Sequence, residues 1–314
     1  MNDDEQSKFR TIAGVLHSHQ SDASVDEHDA SGNPREELVE TMPHDCGDSG
    51  EELSAPTELR EVERTEWTVL QKPIELVETC ETGEGFQLIE RKLFNLLLYY
   101  ASECIKKEES NPGPFAFIAR TKDLRDDLGM GTSTGNGRIL EAMTNLSRQQ
   151  LVFSPQPLRN FTTPSCAAPI SAFEMEKGQG FLAWTFPTWL KLTPFEYKRY
   201  TKVDIEVSAR FRSKYGLILY ELTSMLIDRK KLWTEYPVDE LRDWLGIGRA
   251  DDCSAQTPGK LHGWNALQER ALKPGLDEVN RHAPFSVKMH PRKDRRGRKI
   301  DKVRFVVQKK PGVK

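Results

Sequence analysis

The segment Leu124-Arg-Asp-Asp-Leu-Gly129 returns 117 residues later as Leu241-Arg-Asp-Trp-Leu-Gly246. The likeness extends one position further at each end, Asp123 with Glu240 and Met130 with Ile247. In each copy the two leucines stand four apart, on one face of a helix, and a glycine stops that helix. Each copy is preceded by a long apolar helical stripe and followed by a second helical stretch and hairpin-like sequence. A repeat at this distance constrains the chain to two domains of one design.

In the first unit, order is expected to begin near Trp67, with short strands at Val69-Leu70 and Ile74–Val77. Leu88, Ile89, Leu93, Leu96, Leu97, Tyr100 and Cys104 share a stripe and predict a buried helix over 87–107. A break at Asn111-Pro-Gly-Pro114 leads to a strand at Phe115–Ile118. A helix over 122–128 follows, with Thr121 as N-cap and Gly129 at its end. A polar turn then opens a helix over 138–149 that buries Ile139, Ala142, Met143 and Leu146. Strands at 151–154, 170–176 and 181–186, with Lys177-Gly-Gln-Gly180 as a hairpin turn, complete a sheet and wing.

The second unit repeats this order after a linker ending at Asp204. A helix is expected over 207–227, a strand at Trp233–Tyr236, a short helix from Pro237 to Gly246, and a helix over 261–281. A hairpin of 285–290 and 300–307 is joined by Pro291–Lys299.

The net charge of −3 hides a segregation. Residues 1–66 carry 18 acidic and 5 basic side chains, whereas 288–314 carry 12 basic and 2 acidic. The N-terminal stretch is too poor in apolar residues to offset its ordering entropy and reads as a disordered acidic tail. The basic end suits a polyanion. The expected fold class is therefore α+β. The tail, 1–66, precedes two tandem winged-helix domains, a first with its linker over 67–204 and a second over 205–314.

This geometry implies double-stranded DNA as the partner. In a helix-turn-helix the first helix crosses the backbone and the second enters the major groove. Trp264, Leu267, Ala271, Leu272, Leu276 and Val279 can face inward. Lys260, His262, Asn265, Gln268, Glu269, Arg270 and Lys273 are then candidates for the DNA side. Asn, Gln and Arg can each contact a base edge with two hydrogen bonds. The hairpin connection concentrates Arg292, Lys293, Arg295, Arg296, Arg298 and Lys299 within eight positions, a self-repelling density that an adjacent phosphate backbone would relieve. In the first unit Arg138, Asn145 and Arg148 are the corresponding candidates.

The five cysteines are scattered without zinc-ligand spacing, which fits a reducing compartment. No stretch is apolar enough to span a membrane, and the first residues lack signal-peptide character, so a cytoplasmic location is expected. Gly129–Gly135 superficially resembles a phosphate loop, but it follows a helix and lacks the closing Gly-Lys-Ser/Thr. His17-Ser-His19 lies in the tail and makes a poor metal pair. No catalytic constellation can be placed, so neither enzymatic activity, nor metal, nor cofactor is expected.

Four segments of the second half, 212–222, 241–247, 270–280 and 296–305, stand in the order seen in plasmid replication initiators. Over about 67–310 the chain resembles the two-winged-helix Rep proteins that bind iterons. Gly275 departs from that pattern, in which a small alanine is more usual. The resemblance implies monomers bound side by side on directly repeated origin sequences, and opening of an adjacent A·T-rich segment. It also implies recruitment of the host replication initiator and replicative helicase. It further implies homodimers, joined through the first winged helix and in equilibrium with monomers, that repress the initiator's own gene. By that resemblance the second unit makes the main base contacts and the first contacts mainly backbone. Two other readings are a winged-helix transcriptional repressor without a replication role, which would bind a palindrome, and a nicking nuclease, which the lack of an ordered His pair disfavours.

Overall fold

The computed structural model describes residues 58–61, 69–81, 85–107, 115–131, 136–152, 166–175, 180–187, 190, 200–247 and 263–311. Its first unit is built on α2 (Leu88–Lys107), a helix buried along most of its length. Around it stand β4 (Phe115–Arg120), α3 (Thr121–Asp127), α4 (Gly137–Arg148), β7 (Ala172–Glu174) and β8 (Phe181–Thr185). The second unit runs α6 (Lys214–Ser224), β10 (Trp233–Pro237), α7 (Val238–Trp244), α8 (Trp264–Leu267), a π-helical turn (Gln268–Leu272) and α9 (Lys273–His282). It ends in the hairpin β11 (Phe285–Lys293) and β12 (Ile300–Lys309). The two sheets share one topology. In each, the last strand lies between two others, as β4-β8-β7 and as β10-β12-β11, and the first sheet carries a fourth strand at its edge beside β4.

The sequence repeat is a structural repeat down to single hydrogen bonds. Leu128 N donates to Leu124 O and Leu245 N to Leu241 O, each at 3.0 Å. Met130 N reaches back to Arg125 O and Ile247 N to Arg242 O, each at 2.9 Å, across glycines with φ of 67° and 64°. This is a helix end closed by a left-handed residue, and glycine takes that conformation without a Cβ penalty. Leu124, Leu128, Leu241 and Leu245 are all buried, as the helical phase requires.

Several expectations need correction. Glu58–Glu61, inside the stretch read as disordered, form a strand, β1, that pairs in parallel with β4. The other residues of 1–66 lie outside those described. Ile74–Val77 is not a strand but a helical turn, α1, following β2 (Val69–Pro73). Tyr200–Asp204, read as linker, is a strand, β9, paired antiparallel with β2, so the connection folds back onto the start of the first unit. The helix expected over 207–227 is broken into α5 (Ile205–Arg210) and α6. Phe211 is extended, and the hydroxyl of Ser213 caps the new helix by accepting from Tyr215 N at 3.2 Å. Thr121 is not an N-cap; its amide and hydroxyl both donate to Gly180 O, tying α3 to the strand hairpin. Leu151–Val152 does not join the wing sheet. It pairs, as β5, with β3 (Cys80–Glu81) and with β6 (Cys166–Ala167). Apart from Gly180, the turn 177–180 lies outside the described residues.

The two units share one apolar core, and a buried polar cluster sits between them. Glu221 of α6 has no exposed side-chain surface. Its Oε2 accepts from Lys72 Nζ at 2.9 Å and from Arg91 Nη2 and Nε at 2.9 and 3.2 Å. Its Oε1 accepts from Asn95 Nδ2 at 2.6 Å. Lys72 lies on β2, and Arg91 and Asn95 on α2, so four side chains from three elements meet. Burial alone would push the Glu221 carboxyl up. The charges of Arg91 and Lys72, with hydrogen bonds from Arg91 and Asn95, hold it instead at about 2. Two further bonds cross the boundary, Trp244 Nε1 to Glu78 O at 3.1 Å and Lys92 Nζ to Ala209 O at 2.6 Å.

Candidate nucleic-acid interface

The second helix of the second unit is neither straight nor uniform. Pro274 has no amide to continue an α-helical ladder, and the turn before it is widened, with Lys273 N bonded five residues back to Gln268 O. The widening carries the expected buried stripe across the proline, and Leu267, Ala271, Leu272, Leu276 and Val279 all remain inside. Asn265, Glu269, Arg270 and Lys273 are exposed, and Gln268 is half-buried. Glu269 and Lys273 form an ion pair one turn apart. Lys260 and His262 lie outside the described residues.

A close crossing sets this helix against α6. A Cβ on Gly275 would stand 2.8 Å from Leu219 Cδ1 and 3.2 Å from Gly216 N. The backbones therefore approach so closely that even alanine at 275 crowds its neighbours, so the glycine does more than stand in for a small residue. From α9, Glu278 Oε2 accepts from Arg212 N at 3.3 Å and Ser213 N at 3.2 Å, holding the start of α6 from the other side.

The wing is longer and its turn tighter than expected. Pro291, Arg292 and Lys293 continue β11, paired with Val303, Lys302 and Ile300. The turn is left to 294–299, and Asp294 organises it. Its Oδ1 accepts from Arg298 N at 2.8 Å and Lys299 N at 3.4 Å, its amide donates to Lys299 O, and its carbonyl accepts from Gly297 N. Gly297 supplies the left-handed residue, with φ of 70°. Arg292, Lys293, Arg295, Arg296, Arg298 and Lys299 are all exposed. Among the described residues no carboxylate pairs with the side chains of Arg295, Arg296, Arg298 or Lys299. Arg292 Nε lies 3.6 Å from Glu235 Oε1, which also accepts from Arg304 Nη2 at 2.6 Å.

Sequence reading missed how far this basic surface extends. Lys288, His290 and Arg292 alternate on the outer face of β11, and Arg304 and Lys302 face them across the register from β12. The signal was the two-residue period of those strands, obscured by the density of arginine in the turn. Beside them Lys231 Nζ stands 3.4 Å, and the Arg304 guanidinium carbon 4.2 Å, from the ring centroid of Trp233.

The first unit presents less. Arg138 and Arg148 are exposed near opposite ends of α4, about 15 Å apart along the axis. Asn145 does not stand free beside them. Its Nδ2 donates to Glu90 Oε1 on α2 at 2.7 Å, so one of its amide donors is held by the first unit's own core helix.

Two helix-turn-helix units, each with its own wing sheet, four-stranded in the first and three-stranded in the second, define a tandem winged-helix protein. Residues 72–224 match the family described as Initiator Replication protein, WH1, and residues 237–307 match Initiator Rep protein, WH2. The chain belongs to this family of replication initiators. Among solved structures it is similar to the Pi initiator protein, whose crystal structure is a complex with iteron DNA. Sequence identity is 18%, the match covers 79% of this chain and 100% of that one, and the TM-score is 0.60. A structure of domains 2 and 3 of RctB is more distant, at 9% identity, 79% and 93% coverage and TM-score 0.39. No curated protein sequence matches the chain. Among the described residues no helix is long and apolar enough to cross a membrane, and no group of His, Cys, Asp or Glu is placed to hold a metal ion.

Proposed function

We infer that this chain binds directly repeated duplex sequences at a plasmid origin and initiates replication there. The observation that carries the reading is the wing turn. Arg295, Arg296, Arg298 and Lys299 are held outward by a backbone that Asp294 and Gly297 fix, and no carboxylate among the described residues neutralises them. Such a turn gains most beside phosphates, where each one neutralised releases counterions. Family membership supports the replication role, and the iteron complex of the Pi initiator supports the class of DNA site.

In this reading Asn265, Gln268 and Arg270 meet base edges, while Lys273 and Glu269 set the charge balance of the same helix face. The wing, from Arg292 and Lys293 through Lys299, rests on the backbone. Arg138 and Arg148 supply phosphate contacts in the first unit. Lys260 and His262 are proposed to extend the contact at the start of the second unit's groove helix. No step requires a catalytic residue. Dimers repressing the initiator's own gene, and contacts to the host initiator and replicative helicase, are proposed with it.

The test is footprinting of purified protein on the DNA flanking its gene. Protection of several same-orientation repeats, with hyperreactive bases in an adjacent A·T-rich stretch, supports the initiator. Protection of a palindrome alone would favour a repressor, and protection of no segment would refute duplex recognition.

A further inference from the structure

Two adjacent residues of α2 tie it to both units, one to α4 and one to α6. Glu90 Oε1 accepts from Asn145 of α4 at 2.7 Å, and its Oε2 accepts from Gln87 N at 2.7 Å, so the carboxylate is anchored to the first turn of its own helix. The next residue, Arg91, donates Nε and Nη2 to Glu221 of α6. In turn α6 is set against α9 by the Gly216–Gly275 crossing and by Glu278 on the amides of Arg212 and Ser213. The route from α4 to the α8–α9 helix therefore has three joints. The first two are polar pairs with a buried partner, and the third is a backbone-close contact.

Apolar interfaces of similar volume can repack in neighbouring arrangements, whereas a directional buried pair is satisfied in one register. A slide at either polar joint would strand a carboxylate or a guanidinium away from water. We propose that the Glu90–Asn145 and Arg91–Glu221 pairs act as a ruler. They fix the distance and rotational phase between α4 and the α8–α9 helix, and, with the exposed Leu140 and Glu141 of α4 against base edges beside the phosphates met by Arg138 and Arg148, the chain selects sites whose two halves stand at one spacing. The proposal rests on the duplex reading above. It makes Asn145 and Glu221 positioning residues for specificity rather than groups that touch DNA.

The experiment is selection of bound duplexes from a randomised double-stranded oligonucleotide pool. It uses the full chain and its Glu221→Gln and Asn145→Ala variants, with folding checked by thermal melting. The wild type should return a two-part motif at a single spacing, and one inserted base pair should weaken binding on the order of tenfold or more, since one half loses its base contacts. Each folded variant should return the same two half-motifs at several spacings, with the inserted site within about threefold of the parent. A single unchanged spacing in a folded variant overturns the ruler. If Glu221→Gln does not fold, Asn145→Ala decides, because its partly buried site disturbs only the α2–α4 joint. If the wild type enriches no duplex motif, the duplex reading fails and the ruler falls with it. If it enriches a two-part motif with loose spacing, the reading stands and the ruler alone is refuted.

Discussion

Replacing Glu221 by Gln tests what holds the two winged helices together. The amide keeps one acceptor oxygen but turns an N–H donor either toward Lys72 and Arg91 or toward the Asn95 amide, all of which donate to the carboxylate, and leaves two buried cations without their counter-charge. Breaking a buried pair from one side costs about 3–5 kcal/mol. The pKa gives an independent scale. A carboxyl held at about 2 against an ordinary 4.5 corresponds to about 3 kcal/mol of preference for the ionised form in the folded chain. Because the folded value is the lower one, that stability is fully present above about pH 4.5 and is lost as pH falls toward 2. Denaturant unfolding of the full chain at pH 7 should show a loss of about 3–5 kcal/mol in the variant. Between about pH 4.5 and 2 the wild type should lose stability more steeply than the variant. A variant within about 1 kcal/mol of wild type, with an equal slope through that window, would refute the argument that the Glu221 charge satisfies two otherwise stranded buried cations.

Three other expectations follow from the geometry. Gly275→Val should destabilise the second unit by about 1–3 kcal/mol through overpacking against Leu219 and the α6 backbone, read as a lowered melting temperature. Gly129→Ala and Gly246→Ala should each cost about 1 kcal/mol, because each forces a Cβ into a left-handed helix end; a wild-type melting temperature in either variant would contradict the structural repeat. Arg270→Ala should cost about 1–3 kcal/mol on the selected site and relax base preference at one position, whereas a uniform loss on all sequences would reassign Arg270 to the backbone.

The helices of both units and their buried faces were legible in the sequence because periodicity reports burial directly. Ile139, Ala142, Met143 and Leu146, and the leucines of the repeat, all lie where the stripe puts them. What escaped was decided by partners distant in sequence. The Glu58–Glu61 strand exists by pairing with β4, and Tyr200–Asp204 by pairing with β2, and neither segment has a local signature strong enough to announce it. The break at Phe211–Ser213 was hidden because the apolar spacing continues across it. Asn145 looked like a surface polar residue because only the fold brings Glu90 to it. The arginine turn was legible as composition, but its ordering by Asp294 and the basic rows beside it needed the strand register.

The salt dependence of duplex binding addresses the central claim most directly. Wild type and the double variant Arg295→Ala, Arg296→Ala should be titrated with the selected duplex and with an unrelated one over a range of salt concentrations. If the wing lies on phosphates, the variant binds both duplexes more weakly, and its log–log slope is shallower by about 0.9 for each phosphate it no longer neutralises. Equal slopes for the two proteins would contradict the placement of this hairpin on DNA.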